Sequence, residues 1–169
     1  MRFLDLGIIL GTFNLELIGS LQNLRYLGLS PCAFRGAIPR QLENLSRLVF
    51  LDLSYTEFLD AESLVRLSYL PSLKHLDMSG SNLSQAVDWF QAINSIPSPL
   101  SLHLSYCQLS LVVPPSTPSH ANHTSASLAD IDLSINSLPS SNVCLTLTIV
   151  LNILINVRTT YKVQFQMDL

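Results

Sequence analysis

The side chains of this sequence that could do covalent or metal chemistry are few and poorly spaced for it. Cys32, Cys107 and Cys144 are too far apart in sequence to form a CxxC zinc or redox motif, and three cysteines do not make a disulfide framework. His120 and His123 form an HxxH in the Pro/Ser-rich stretch "VVPPSTPSHANHTS", with no carboxylate or cysteine at a ligand spacing beside them. No metal is expected there. GxSxG, HExxH, P-loop and GxGxxG patterns are absent from the chain. Catalysis therefore has no support in the sequence, and neither an enzyme nor a cofactor is expected.

The elements that would have to position any site are legible as a repeat. "LRYLGLS" begins at residue 24, "LVFLDLS" at 48 and "LKHLDMS" at 73. Looser copies follow, "PLSLHLS" at 99 and "LADIDLS" at 128, and "MRFLDLG" opens the chain. The starts at 1, 24, 48, 73, 99 and 128 are separated by 23, 24, 25, 26 and 29 residues. That spacing matches the leucine-rich repeat, with the pattern LxxLxLxx(N/C/T)xL. The tail of that pattern is met by Phe34, Phe58, Leu83, Leu109 and Leu138. Chance similarity within an ordinary amphipathic α/β domain would not hold so many copies in register.

The physical reading is direct. Leu27 and Leu29 are two apart, so in a strand they share a face. One copy cannot bury that face alone, but stacked copies form a parallel sheet over a continuous leucine core. The expected fold is an α/β solenoid of about six repeats over residues 1–141, with a concave parallel sheet and a convex return of helices and loops. "AESLVRLSYL" and "QAVDWFQAI" suit short convex helices, with Leu64, Leu67, Trp89, Phe90 and Ile93 inward.

Columns of this repeat sort the polar residues. The ninth position reads Ile9, Cys32, Thr56, Ser81, Cys107 and Asn136. It turns inward, and its side chain hydrogen-bonds the backbone of the turn after the strand. Cys32 and Cys107 therefore read as ladder residues, and Ile9 predicts a poorly formed first turn. The third position reads Phe3, Tyr26, Phe50, His75, Ser101 and Asp130; the fifth reads Asp5, Gly28, Asp52, Asp77, His103 and Asp132. Both columns face solvent from the concave sheet. An aromatic row beside an acidic row could grip a peptide or a basic protein surface. The plainer account is that LDLS is ordinary strand text for such repeats. Ser30, Ser54, Ser79, Ser105 and Ser134, at the seventh position, read as scaffold. Sequons stand at Asn44, Asn82 and Asn122.

A formal net charge of -3 and the lack of a Lys/Arg block exclude an electrostatic nucleic-acid binder. The first residues lack the long apolar run of a secretory signal. Residues 142–169 form an atypical apolar tail, whose run "VCLTLTIVLNILINV" is shorter than the ~20 residues of a spanning helix. Three readings of it stay open. It is a membrane helix with Arg158 and Lys162 on its cytoplasmic side, a strand pair turning at "NVRTT", or a tail without selected structure.

The convex segment "FRGAIPRQLENLSRL" carries Phe34, Gly36, Ile38, Pro39, Leu42 and Leu45 at the positions of (L/F)xGxIPxxLxxL. It resembles the plant-specific leucine-rich repeat. "LPSLKHLDMSGSNLSQAVDWFQAINSIPS" is similar to the ectodomains of plant leucine-rich-repeat receptor-like proteins of the elicitor-receptor kind, such as the ethylene-inducing xylanase receptors. The resemblance covers residues 18 to about 141. It implies a peptide- or protein-binding module in defence or developmental signalling, without a kinase domain of its own. It further implies a partner receptor kinase and the extracellular face of the plasma membrane. The chain is expected to be a partial, truncated ectodomain. Two alternatives are a soluble inhibitor of the polygalacturonase-inhibitor kind and a product without independent activity. On the binding reading, the ligand residues are Tyr26, Phe50, His75, Asp52, Asp77, His103, Asp130 and Asp132, and the glycosylation candidates are Asn44, Asn82 and Asn122.

Overall fold

A computed structural model describes residues 1–7, 15–30, 38–56, 62–86, 89–97, 99–109, 129–136 and 160–162. Each repeat start is followed by a three-residue strand. These are β1 (Phe3–Asp5), β2 (Tyr26–Gly28), β3 (Phe50–Asp52), β4 (His75–Asp77), β5 (Ser101–His103) and β6 (Asp130–Asp132). A further strand, β7, runs from Thr160 to Lys162. All pair in parallel in chain order, from β1 through β7, in a seven-stranded sheet. The register keeps repeat positions aligned: Leu4, Leu27, Leu51, Leu76, Leu102 and Ile131 form one row. The solenoid expected from the spacing is the fold found.

The strands are short: each has one core residue at its centre and another just past its end, as Leu27 and Leu29 are for β2, after which the chain turns. Leu27, Leu51 and Leu104 are fully buried, as are Leu24, Leu48 and Leu53. Each repeat lends one layer to this core, and burying a leucine is worth roughly 1.5–3 kcal/mol. The layer is incomplete at β1, where Leu4 is only partly buried and Phe3 is 60% exposed.

Short helical turns make the convex side. They are 3-10 at Leu15–Ser20, Arg40–Asn44 and Arg66–Tyr69, and α-helical at Glu62–Val65 (α1) and Trp89–Asn94 (α2). The 3-10 turn at Arg40 follows Pro39, whose φ of -62° suits a helix entry. Its Ile38, Leu42 and Leu45 are buried, as the convex motif expects. Leu64, Leu67, Trp89 and Ile93 also point into the core. The side chain of Phe90 lies outside the described residues.

The backbone of β7 falls inside the apolar tail. It pairs with β6 at Asp130–Thr160, Ile131–Tyr161 and Asp132–Lys162. Tyr161 thus holds the register position that a leucine holds in earlier repeats, which is why the leucine pattern did not mark it. Residues 143–157 lie outside the described residues. Among the described residues, no helix is long and apolar enough to cross a membrane.

Candidate ligand-binding face

Strand pairing at about 4.8 Å converts each repeat column into a continuous row. In the third column the rings of Phe3 and Tyr26 stack with centroids 4.2 Å apart, Tyr26 and Phe50 at 4.8 Å, and Phe50 and His75 at 5.6 Å. Interplanar angles stay between 12° and 26°. Four rings therefore form one pile along β1–β4, and their faces cover one another. A partner approaching from solvent meets ring edges. Tyr26, Phe50 and His75 are half-buried by this stacking.

The fifth column runs beside the pile. Asp5, Asp52, Asp77 and Asp132 each use Oδ1 to accept the backbone N–H two residues ahead, at Gly7, Ser54, Ser79 and Ser134, at 2.9 to 3.0 Å. These side chains close the turn that ends each strand. Ser54 Oγ adds a hydrogen bond to the same Asp52 oxygen at 2.7 Å and one to Ser30 Oγ at 2.6 Å. So the aspartates serve the scaffold with one oxygen, and the second oxygen of Asp77 lies 3.7 Å from His103 Nδ1. The D-x-S and D-x-G spacing is the sequence signal for this turn, and it gives the acidic column a structural role beside any role in binding.

His103 breaks the acidic row. Its Nε2 is 2.9 Å from Asp130 Oδ2, and its Nδ1 is 3.7 Å from Asp77 Oδ2. Ser101 Oγ is 3.3 Å from Nε2. One imidazole thereby links β4, β5 and β6. Partial burial disfavours its charged form, but the Asp130 hydrogen bond and the fields of Asp77, Asp130 and Asp132 outweigh this and raise its pKa. Burial, with Asp5 and Asp52 nearby, likewise raises the pKa of Tyr26, so its hydroxyl stays protonated.

The ninth column is interior. Asn136 Nδ2 donates to Leu104 O at 2.8 Å and Leu133 O at 3.0 Å, and its Oδ1 accepts the N–H groups of Cys107 and Leu109. Ser81 Oγ donates to Leu53 O at 2.9 Å, and Thr56 Oγ1 donates to the same carbonyl. Cys107 is wholly buried, with its thiol 3.1 Å from Met78 O, and burial pushes its pKa up to about 12. It is an inert ladder residue. Ile9, Cys32 and Cys144 lie outside the described residues, as do His120, His123 and the sequon at Asn122. The other sequon asparagines, Asn44 and Asn82, are exposed. Among the described residues, no three His, Cys, Asp or Glu side chains are grouped to hold a metal ion.

The eighth column shows a feature that spacing did not reveal. Tyr55, Tyr106 and Ile135 have φ between 53° and 56°, and Gly80 has φ of 73°. The chain must pass through the left-handed region there to turn the ninth residue inward.

The receptor-like protein EIX1 of Solanum lycopersicum is 43% identical over 125 residues, which is 74% of this chain and 12% of that protein. The chain thus spans a small part of the curated relative it matches. No protein-family model matches it. The leucine-rich-repeat ectodomain of the membrane receptor kinase GASSHO1/SCHENGEN3 from Arabidopsis thaliana superposes with a TM-score of 0.58 at 22% identity, over 82% of this chain and 16% of that one. An internalin from Listeria monocytogenes gives a TM-score of 0.54 at 14% identity, over 99% of this chain and 48% of that one. At such identities these structures speak for the fold, and the sequence match carries the kinship. The chain belongs with the ectodomain repeats of plant leucine-rich-repeat receptor-like proteins.

Proposed function

We propose that the chain is a peptide- or protein-binding module that acts through its concave face, without chemistry. The observation that carries this reading is the pile of Phe3, Tyr26, Phe50 and His75 beside the carboxylates of Asp5, Asp52 and Asp77. Ring edges supply apolar contact at low entropic cost, and carboxylates supply direction. His103, Asp130 and Asp132 extend the face across β5 and β6. The GASSHO1/SCHENGEN3 ectodomain was crystallised with Casparian strip integrity factor 2, so a peer of the same fold takes a partner. By kinship with receptor-like proteins, we assign this chain to the extracellular face of the plasma membrane and to signalling with a receptor kinase. Asn44 and Asn82 would then be available for glycosylation.

The test is selection of peptides from a random displayed library against the whole purified chain. The selected peptides are then measured against the Tyr26→Ala/Phe50→Ala variant. A loss of about tenfold or more, with the far-ultraviolet spectrum unchanged, supports the reading. Equal binding to both proteins overturns it.

A further inference from the structure

The concave face carries a charge polarity across its width that the third and fifth columns alone do not reveal. The second position of the repeat, just before the strand, is exposed and basic ahead of β1, β2 and β4, at Arg2, Arg25 and Lys74, and is the half-buried Val49 ahead of β3. On the far side of the ring pile lie Asp5, Asp52 and Asp77. Positions two and five are three residues apart, or about 10 Å along a strand. The face over β1–β4 is therefore a ring-edge floor between an acidic margin and a margin that is basic at β1, β2 and β4 and apolar at β3.

The polarity ends at β5. There the second position becomes Leu100, then Ala129, and the fifth position becomes His103, whose Nε2 lies 2.9 Å from Asp130 Oδ2 and whose Nδ1 lies 3.7 Å from Asp77 Oδ2. Within the acidic margin Gly28 supplies no carboxylate, and the space over it is filled by its neighbours: a Cβ placed there would lie 3.0 Å from Asp5 Oδ1 and 3.2 Å from Tyr26 Cε1.

An extended chain throws successive side chains to opposite sides. Laid along the floor, perpendicular to the strands, it sends alternate residues to opposite margins. An α-helix is about 10–12 Å wide with its side chains, as wide as the floor itself, and would ride on the margins above the rings. We propose that β1–β4 takes an extended peptide whose successive residues alternate in charge, basic ones along Asp5–Asp52–Asp77 and acidic ones along Arg2–Arg25–Lys74. This rests on the reading of the concave face as a peptide site.

The experiment compares two fluorescent peptides of about eight residues, long enough when extended to cross the four strands. One alternates Lys with Glu; the other has the same composition as a Lys block followed by a Glu block. Both are titrated into the whole chain. The alternating peptide binds about tenfold tighter at low salt, and this advantage disappears at about 0.5 M salt. Asp52→Asn and Asp77→Asn remove charge but keep the oxygen that accepts the Ser54 and Ser79 N–H groups, so the fold is retained. Each weakens the alternating peptide about threefold, as do Arg25→Gln and Lys74→Gln.

Equal affinity for the two peptides, no binding of either, or an advantage that survives all four variants overturns the proposal. None of these results touches the concave-face reading itself, which stands or falls on the ring variants and library-selected peptides.

Discussion

The side-chain oxygen of Asn136 accepts the backbone N–H of Cys107 at 3.0 Å, tying the last fully described turn to the turn before it. The same oxygen takes the Leu109 N–H, and the amide nitrogen reaches Leu104 O and Leu133 O. One side chain thus satisfies four backbone groups where water is excluded. Asn136→Ala leaves them unpaired, and each such loss costs about 1–3 kcal/mol less whatever relaxation recovers. The expected total is roughly 3–5 kcal/mol, read from urea unfolding. Asn136→Asp does not rescue it, because the carboxylate has no donors for the two carbonyls. A loss under about 1 kcal/mol would show that the ladder is dispensable.

Cys107 gives a pH test with a definite sign. Its folded pKa of about 12 lies above the ordinary 9.0, so the folded state holds the proton more tightly than the unfolded chain does. This contribution is complete below pH 9.0 and is lost as pH rises toward about 12. The slope approaches about 1.4 kcal/mol per pH unit. Cys107→Ser keeps a donor to Met78 O and should flatten stability over that window. In the wild-type chain, thiol reagents should label Cys107 only at the rate of unfolding. Labelling at the rate of a free thiol in folded protein would contradict the buried geometry.

His103 works in the opposite part of the pH scale. Its pKa is raised, so the bridge between Asp77 and Asp130 contributes stability that is present below the ordinary histidine value and fades as pH rises through the raised one. Urea midpoints at about pH 5.5 and about pH 8.5 should therefore differ more in the wild type than in His103→Gln. An identical difference in both proteins would mean that the bridge is not the titrating contact.

The eighth column predicts changes of both signs. Tyr55 lies over Gly80 so closely that a Cβ there would stand 2.6 Å from Tyr55 Cδ1. Gly80→Ala should cost about 1–2 kcal/mol, from the clash and from the positive φ. Part of that cost should return in the Tyr55→Ala background, as a double-mutant cycle would show. Ile135 is β-branched, 59% exposed and held at φ of 55°. Ile135→Gly should raise stability by up to about 1 kcal/mol, since no buried contact is lost. Destabilisation by that change would assign Ile135 a packing role.

The repeat itself could be read from residue order alone. Leucines at 24, 27 and 29, recurring at 48, 51 and 53, specify which side chains meet, because a strand alternates and a lone copy cannot bury its leucines. The ladder role of Asn136 and Cys107 followed from the same column logic. Where position matters less than direction, the sequence fell silent. Tyr161 stands in the leucine row of β7 without a leucine to announce it, since strand addition is satisfied by backbone hydrogen bonds. That His103 reaches both Asp77 and Asp130, and that four rings close into one pile, depended on rotamers chosen across neighbouring strands. Those choices belong to residues about 25 apart in sequence, which only parallel stacking at about 4.8 Å brings into contact. Sequence periodicity determined the scaffold and its core. The tertiary structure decided which carboxylates are tied into turns, which pair with a histidine, and which rings stack face to face.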